Sequence, residues 1–220
     1  MSGEIAQSLL MTDAHAPLAD KREEQAGLAL LVAQARTGDA AAFEELMICT
    51  QHKVVAHAWR MLGNREDARD AAQEVYLRVF KYLDRYDPAH DFHGWLYRIT
   101  MNVCRDSARK RRGRDEGSDW FDAPGHERAA EQSAQTDAAG DVEAQTLVAQ
   151  QRALVARALQ TLPAKERAAL VLRDLEGLST EEVARILRSR PVTVRSQISS
   201  ARAKIKLYCD RLLRKGERDA

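Results

Sequence analysis

Aromatic residues make up only 5% of this chain, and cysteine occurs three times in 220 residues. Scarce aromatics beside abundant Ala, Leu, Arg and Glu favour helices over strands, so an all-α protein is predicted. Cys49, Cys104 and Cys209 are odd in number, far apart and never in a Cys-x-x-Cys spacing. That excludes a disulfide framework and a zinc knuckle, and they read as reduced core thiols. No run approaches the roughly 18 consecutive apolar residues of a membrane span. The opening MSGEIAQSLL lacks the basic segment that begins a secretory leader. These absences predict a cytoplasmic protein without membrane insertion. A glycine-rich phosphate loop, a His-x-x-x-His pair and a nucleophile motif are missing too. His52 and His57, five residues apart, do not share a helix face well enough to hold a metal. No catalytic site, metal or cofactor is expected.

What is present is charge, unevenly distributed. The net charge of +1 conceals three blocks. Between Arg105 and Arg114, six basic residues (Arg105, Arg109, Lys110, Arg111, Arg112 and Arg114) stand against Asp106 alone. Between Asp115 and Glu143, nine acidic residues stand against Arg128 alone. Between Arg185 and Arg218, eleven basic residues stand against Asp210 and Glu217. Two basic blocks separated by an acidic one predict two phosphate-contacting surfaces joined by a linker of opposite sign.

Hydrophobic spacing divides the chain the same way. Residues 1–20 have no sustained apolar period and are expected to form a mobile tail. From 21 to 112 a first helical domain is predicted. Asp20 is placed as the cap of a helix carrying Leu28, Leu31, Val32 and Ala35, which ends at Gly38. Asp39 then caps a second helix with Phe43, Leu46, Met47, Val54 and Met61 inward, stopped by Gly63. Asn64 caps a third, in which Ala68, Ala71, Ala72, Val75, Tyr76, Val79, Phe80 and Leu83 form one buried stripe. After the loop DRYDPAHDFHG, a fourth helix is expected from about Trp95 to Arg112, with Trp95, Ile99 and Val103 on one side. Phe92 and Trp95 read as core. Residues 113–141 have the composition of a flexible acidic linker.

A second domain of four helices is expected over 142–213, followed by a tail over 214–220. Pro163 suits the first turn of one helix and Gly177 the position that ends it. Ser179 and Glu182 form a capping box for a short helix from Thr180 to about Arg188. A turn at Ser189 and Arg190 follows. Pro191 then restarts a long helix with Val194, Ile198, Ala201, Ile205 and Tyr208 inward and Arg195, Ser196, Gln197, Ser199 and Arg202 outward. Helix, tight turn and basic helix is the DNA-binding helix-turn-helix pattern, with short polar groups and arginine near the N-terminus of the second helix.

The residues resemble a known family. GDAAAFEELM, DARDAAQEVYLRVF, FHGWLYRITMNVCRD and RKRR in the first block occur in family order, as do LPAKERAALVLRDLEGLSTEEVARIL and TVRSQISSARAKI in the second. The chain is similar to the two-domain extracytoplasmic-function sigma factors, the promoter-specificity subunits of bacterial RNA polymerase. The resemblance implies that Asp67, Asp70, Gln73, Glu74 and Arg78 dock on the clamp of the large catalytic subunit of core polymerase. It implies that the loop containing Asp84, Arg85, Tyr86, Asp87 and Phe92 captures a flipped base of the minus-ten element, and that Asn102 reads its neighbour. Lys110, Arg111 and Arg112 would follow phosphates along the melted strand. Arg195, Ser196, Gln197, Ser199 and Arg202 would face the minus-thirty-five element, Arg195 as a base reader and Arg202 as a phosphate contact. An anti-sigma factor is the expected regulatory partner. The chain departs from the family's habit at Arg188, where a small residue, often glycine, is usual, and at Gln197, Ser199 and Ser200.

Overall fold

The computed structural model describes residues 18–111 and 153–216. The expected linker over 113–141 and most of the two expected tails lie outside the described residues. Those described are helices and the turns between them, with no strand among them. The chain divides into two compact units, one within Asp13–Gly117 and the other within Ser118–Ala220.

In the first unit, α1 (Leu18–Arg36), α2 (Ala40–Leu62), α3 (Arg65–Tyr82) and α4 (Phe92–Arg111) pack into a bundle. The boundaries follow from capping chemistry. Asp39 accepts hydrogen bonds from the Ala41 and Ala42 amides at 2.9 and 3.1 Å, satisfying donors that the first turn of α2 leaves open. Gly63 ends that helix at φ +72°, a left-handed conformation that costs a residue without a Cβ little. Asn64 caps α3 through Glu66 and Asp67 at 2.8 and 3.2 Å. The core is built from Leu46, Val54, Ala58 and Met61 of α2, Val75 and Val79 of α3, and Leu96, Met101 and Cys104 of α4. Each buried Leu or Met contributes roughly 1.5–3 kcal/mol. Ala68, Ala71 and Ala72 are buried on α3, where their small side chains let the neighbouring backbones approach.

A buried polar pair fixes α2 against α3. Thr50 commits its single hydroxyl proton to the Leu46 carbonyl at 2.7 Å, so Tyr76 donates across the interface to Thr50 Oγ1 at 2.9 Å. Burial pushes the Tyr76 phenol up to about 12.

Five local expectations in this unit need correction. Cys49 is exposed rather than a core thiol, whereas Cys104 is buried. α1 begins at Leu18, so Asp20 lies inside it rather than capping it. Phe80 is 69% exposed, because the core stripe of α3 passes through Val75 and Val79 and leaves position 80 on its solvent side. α4 begins a turn early at Phe92, where the Asp91 carboxylate accepts from the Gly94 amide at 2.7 Å. Its buried face centres on Leu96, Thr100, Met101 and Cys104, with Trp95 and Ile99 only half-buried at the flank.

The second unit comprises α5 (153–160), α6 (Ala164–Leu170) continuing into a π-helical turn (Val171–Leu175), α7 (Thr180–Leu187) and α8 (Pro191–Gly216). Pro163 stands one residue ahead of α6 in an extended conformation (φ −54°, ψ 144°), not in its first turn. Arg167, buried on α6, donates to Gln160 Oε1 at 2.6 Å and to the Leu162 carbonyl at 3.0 Å, tying the α5–α6 turn together. The capping box is formed in full: Ser179 Oγ accepts from the Glu182 amide, and the Glu182 carboxylate accepts from the Ser179 amide at 2.8 Å. The hydrogen bond from the Ser179 side chain holds the Glu182 carboxyl below its ordinary value. Val183, Ala184 and Ile186 of α7 are buried together with Val194, Ile198, Ala201 and Ile205 of α8, which gives the helix-turn-helix its own core.

Candidate protein and nucleic-acid interfaces

Of the five α3 residues expected to dock a protein, three are held in a charge ladder between α3 and α4. Arg78 bonds Glu74 at 2.7 Å and Asp106 at 3.0 Å. Asp67 pairs with Arg111, the latter expected to follow DNA phosphates. These pairs are partly exposed and modest in energy, but they tether the basic end of α4 to the start of α3. Asp70 and Gln73 are exposed. Their line continues one and two turns on into Leu77 and Phe80, 66% and 69% exposed. The Phe80 ring meets Phe43 of α2 edge to face at 5.2 Å. Leu77 escaped the sequence reading, although the spacing 70, 73, 77, 80 places all four on one helical face.

The loop after α3 combines an exposed rim with a buried floor. Asp84 and Arg85 sit in a 3₁₀ turn (Leu83–Arg85) and are exposed, as is Asp87. Tyr86 and Phe92 are buried, in an aromatic cluster with Trp95 whose ring centroids lie 5.4–5.6 Å apart. The Tyr86 hydroxyl donates to the His90 carbonyl, closing the loop from beneath. Asp87 accepts from the Ala89 amide at 3.0 Å and pairs with His90 at 3.1 Å. Tyr86 and Phe92 therefore support the loop, while its exposed acidic and basic residues are Asp84, Arg85, Asp87 and Asp91. Asn102 is half-buried on α4, and Lys110 and Arg111 are exposed at its end. Arg112 lies outside the described residues.

On α8, Arg195, Ser196 and Ser199 are exposed as expected. Gln197 is half-buried, and its Oε1 is enclosed without a hydrogen-bond partner. Three cations of this helix meet carboxylates of the elements beneath. Arg202 donates twice to Asp174, Lys204 and Ser200 bond Glu166 at 2.7 and 3.0 Å, and Arg195 reaches Glu181 only at 3.7 Å. Of these three, Arg202 and Lys204 near mid-helix are held firmly and Arg195 in the N-terminal turn only loosely. Arg188, ahead of α8, is the one non-glycine residue at positive φ among those described, at +51°.

Among the described residues no group of three or more metal-ligating side chains occurs, and no helix is long and apolar enough to cross a membrane.

Comparison with known proteins matches residues 46–114 to sigma-70 region 2 and residues 152–205 to sigma-70 region 4. The chain is 37% identical over 179 residues to the ECF RNA polymerase sigma factor SigE of Mycolicibacterium smegmatis, covering 78% of this chain and 64% of that protein. It is 33% identical over 188 residues to the ECF RNA polymerase sigma-E factor of Escherichia coli, covering 84% and 96% of the two chains. Among solved structures, CnrH in complex with the cytosolic domain of CnrY superposes with a TM-score of 0.58 at 27% identity, covering 84% of this chain and 97% of that one.

Proposed function

Because the chain belongs to the extracytoplasmic-function sigma factors of bacterial RNA polymerase, we propose a division of labour between its two units. The first, over 21–112, docks on core polymerase and opens the minus-ten element; the second, over 142–213, reads the minus-thirty-five element. The acidic segment 113–141 links them, and the protein works in the cytoplasm beside the polymerase.

One observation carries the docking half: the uncovered stripe Asp70, Gln73, Leu77 and Phe80 on α3. An apolar pair bordered by an acid and an amide suits a protein partner, since burying it removes large exposed side chains from water. The clamp of the large catalytic subunit is the proposed partner. Asp67, Glu74 and Arg78 act at the edge of this stripe and keep α3 and α4 in register.

Capture of an unpaired base costs a few kcal/mol of stacking and pairing, which a shaped loop and a basic strip offset. The rim residues Asp84, Arg85 and Asp87 supply polar groups on a floor braced by Tyr86 and Phe92. Asn102, with both donor and acceptor on one amide, reads the next base, and Lys110, Arg111 and Arg112 follow the strand. In the second unit Arg195, Ser196 and Ser199 face the major groove, while Gln197 borders it. Arg202 takes a positioning role through Asp174. The superposition on CnrH in complex with a cytosolic CnrY domain supports control by a bound protein partner, for which an anti-sigma factor is proposed.

Reconstituted transcription decides the reading. Core polymerase supplied with the full chain should initiate from a subset of a randomised promoter library, with enrichment at both elements. Initiation no better than core polymerase alone would overturn it.

A further inference from the structure

The first turn of α8 carries a side chain that the reading above leaves unused. Val192 is 71% exposed, more than any other large hydrophobic residue among those described. The inner stripe of the helix is made by Val194, Ile198, Ala201 and Ile205, so packing gives Val192 no role. A β-branched residue is also a poorer helix former than alanine, so local propensity does not account for it. At 3.6 residues per turn, Val192 shares a face with Arg195, Ser196 and Ser199, and it stands at the N-terminal end of that face, where insertion into a groove is deepest.

We infer that Val192 is a base-reading residue whose isopropyl group packs on the C5-methyl of a thymine in the upstream promoter element. The major groove offers one apolar feature, the thymine methyl, and apolar side chains recognise it by contact. The surrounding residues have complementary chemistry: Arg195 and the serines can hydrogen-bond base edges or phosphates, and none can replace a methyl–methyl contact. Cytosine at the same position presents no methyl group, so Val192 would discriminate within the pyrimidines without any hydrogen bond. This inference rests on the reading that the outer face of α8 lies in the groove.

The test uses holoenzyme assembled from core polymerase and the full chain, with a promoter chosen from the randomised library. Each thymine of the upstream element, on either strand, is replaced in turn by deoxyuridine, which pairs identically but lacks the methyl. At one position the substitution should weaken wild-type promoter binding about fourfold, the worth of one buried methyl group, and should leave the Val192→Ala protein unaffected. Deoxyuridine effects that are the same in the wild-type and Val192→Ala proteins at every position would overturn the inference. Arg195→Ala, run in parallel, separates the two layers. If it alters base preference while Val192→Ala shows no coupling to any methyl, only the inference on Val192 falls. If neither variant alters any preference, the groove assignment of α8 falls with it. Val192→Ala should melt no lower than the wild type, since the side chain is largely exposed and alanine is the better helix former.

Discussion

Arg202 forks onto Asp174, its Nε and Nη2 donating to the two carboxylate oxygens at 2.8 and 2.7 Å. The two partners differ in exposure: the Asp174 side chain is 11% accessible and that of Arg202 58%. The Asp174 carboxylate also lifts the guanidinium pKa above its ordinary value. A bidentate pair of this kind is among the stronger side-chain interactions, and removing the arginine strands a carboxylate that is nearly out of water. Arg202→Ala is therefore expected to destabilise the second unit by about 1–3 kcal/mol. It should leave the salt dependence of promoter binding unchanged. A log–log salt slope shallower by about one, with unaltered thermal stability, would instead identify Arg202 as a phosphate contact.

Docking should follow the uncovered stripe more than the charge ladder. Asp70→Lys and Leu77→Ser each alter an exposed position, so each should weaken core polymerase binding about tenfold, about 1.4 kcal/mol, without lowering the melting temperature. Asp67→Ala should weaken it less, because Asp67 is engaged by Arg111. Titration of fluorescently labelled chain with core polymerase measures all three, and an Asp67 effect exceeding those of Asp70 and Leu77 would reverse this order.

Helix starts were legible at three of the caps the sequence offered, though not at Asp20, which lies inside α1. Asp39, Asn64 and the Ser179–Glu182 box all stand where their chemistry places them, because a cap is a local interaction. Phe80 and Leu77 were not legible. Apolar residues at the margin of a stripe satisfy helical periodicity whichever side they face, and only the position of α2 decides it. Tyr86 presents the same difficulty, since its burial depends on meeting Phe92 and Trp95 from across a loop, whereas Phe92 is buried as its core reading expects. The pairing of Asp67 with Arg111 and of Arg202 with Asp174 joins residues 44 and 28 apart, a separation about which periodicity is silent. Family resemblance nominated these residues, and the geometry sorts them into exposed and engaged.

Arg188 offers a stabilising substitution. Its φ of +51° is reached at the end of α7, where the Ser189 amide bonds the Ala184 carbonyl at 2.9 Å in the manner of a glycine-terminated helix. A residue with a Cβ spends roughly 1–2 kcal/mol in the left-handed region that glycine does not, part of which glycine returns through its greater freedom when unfolded. Arg188→Gly is expected to raise stability by about 1 kcal/mol, read from the urea midpoint at unchanged m-value. A lower midpoint would show that the Arg188 side chain itself stabilises the turn.

Alkaline pH should unfold the first unit through two buried acids. Burial pushes the Cys104 thiol and the Tyr76 phenol each up to about 12, from ordinary values of 9.0 and 10.0. The unfolded chain gives up these protons near pH 9 and 10, whereas the native state retains them until about 12. Unfolding therefore releases protons in this window. The stabilisation is complete below pH 9 and is lost as pH rises toward 12, at up to about 1.4 kcal/mol per pH unit for each group. Replacing both groups, Cys104→Ala with Tyr76→Phe, should flatten the stability profile between pH 9 and 12 while lowering it at pH 7, where Thr50 loses its donor. The same burial makes Cys104 resist alkylation at pH 8, when the exposed Cys49 is labelled. Mass spectrometry of pulse-labelled native protein checks this independently: Cys104 modified as fast as Cys49 would mean that the thiol is accessible, and the alkaline profile would then need another cause.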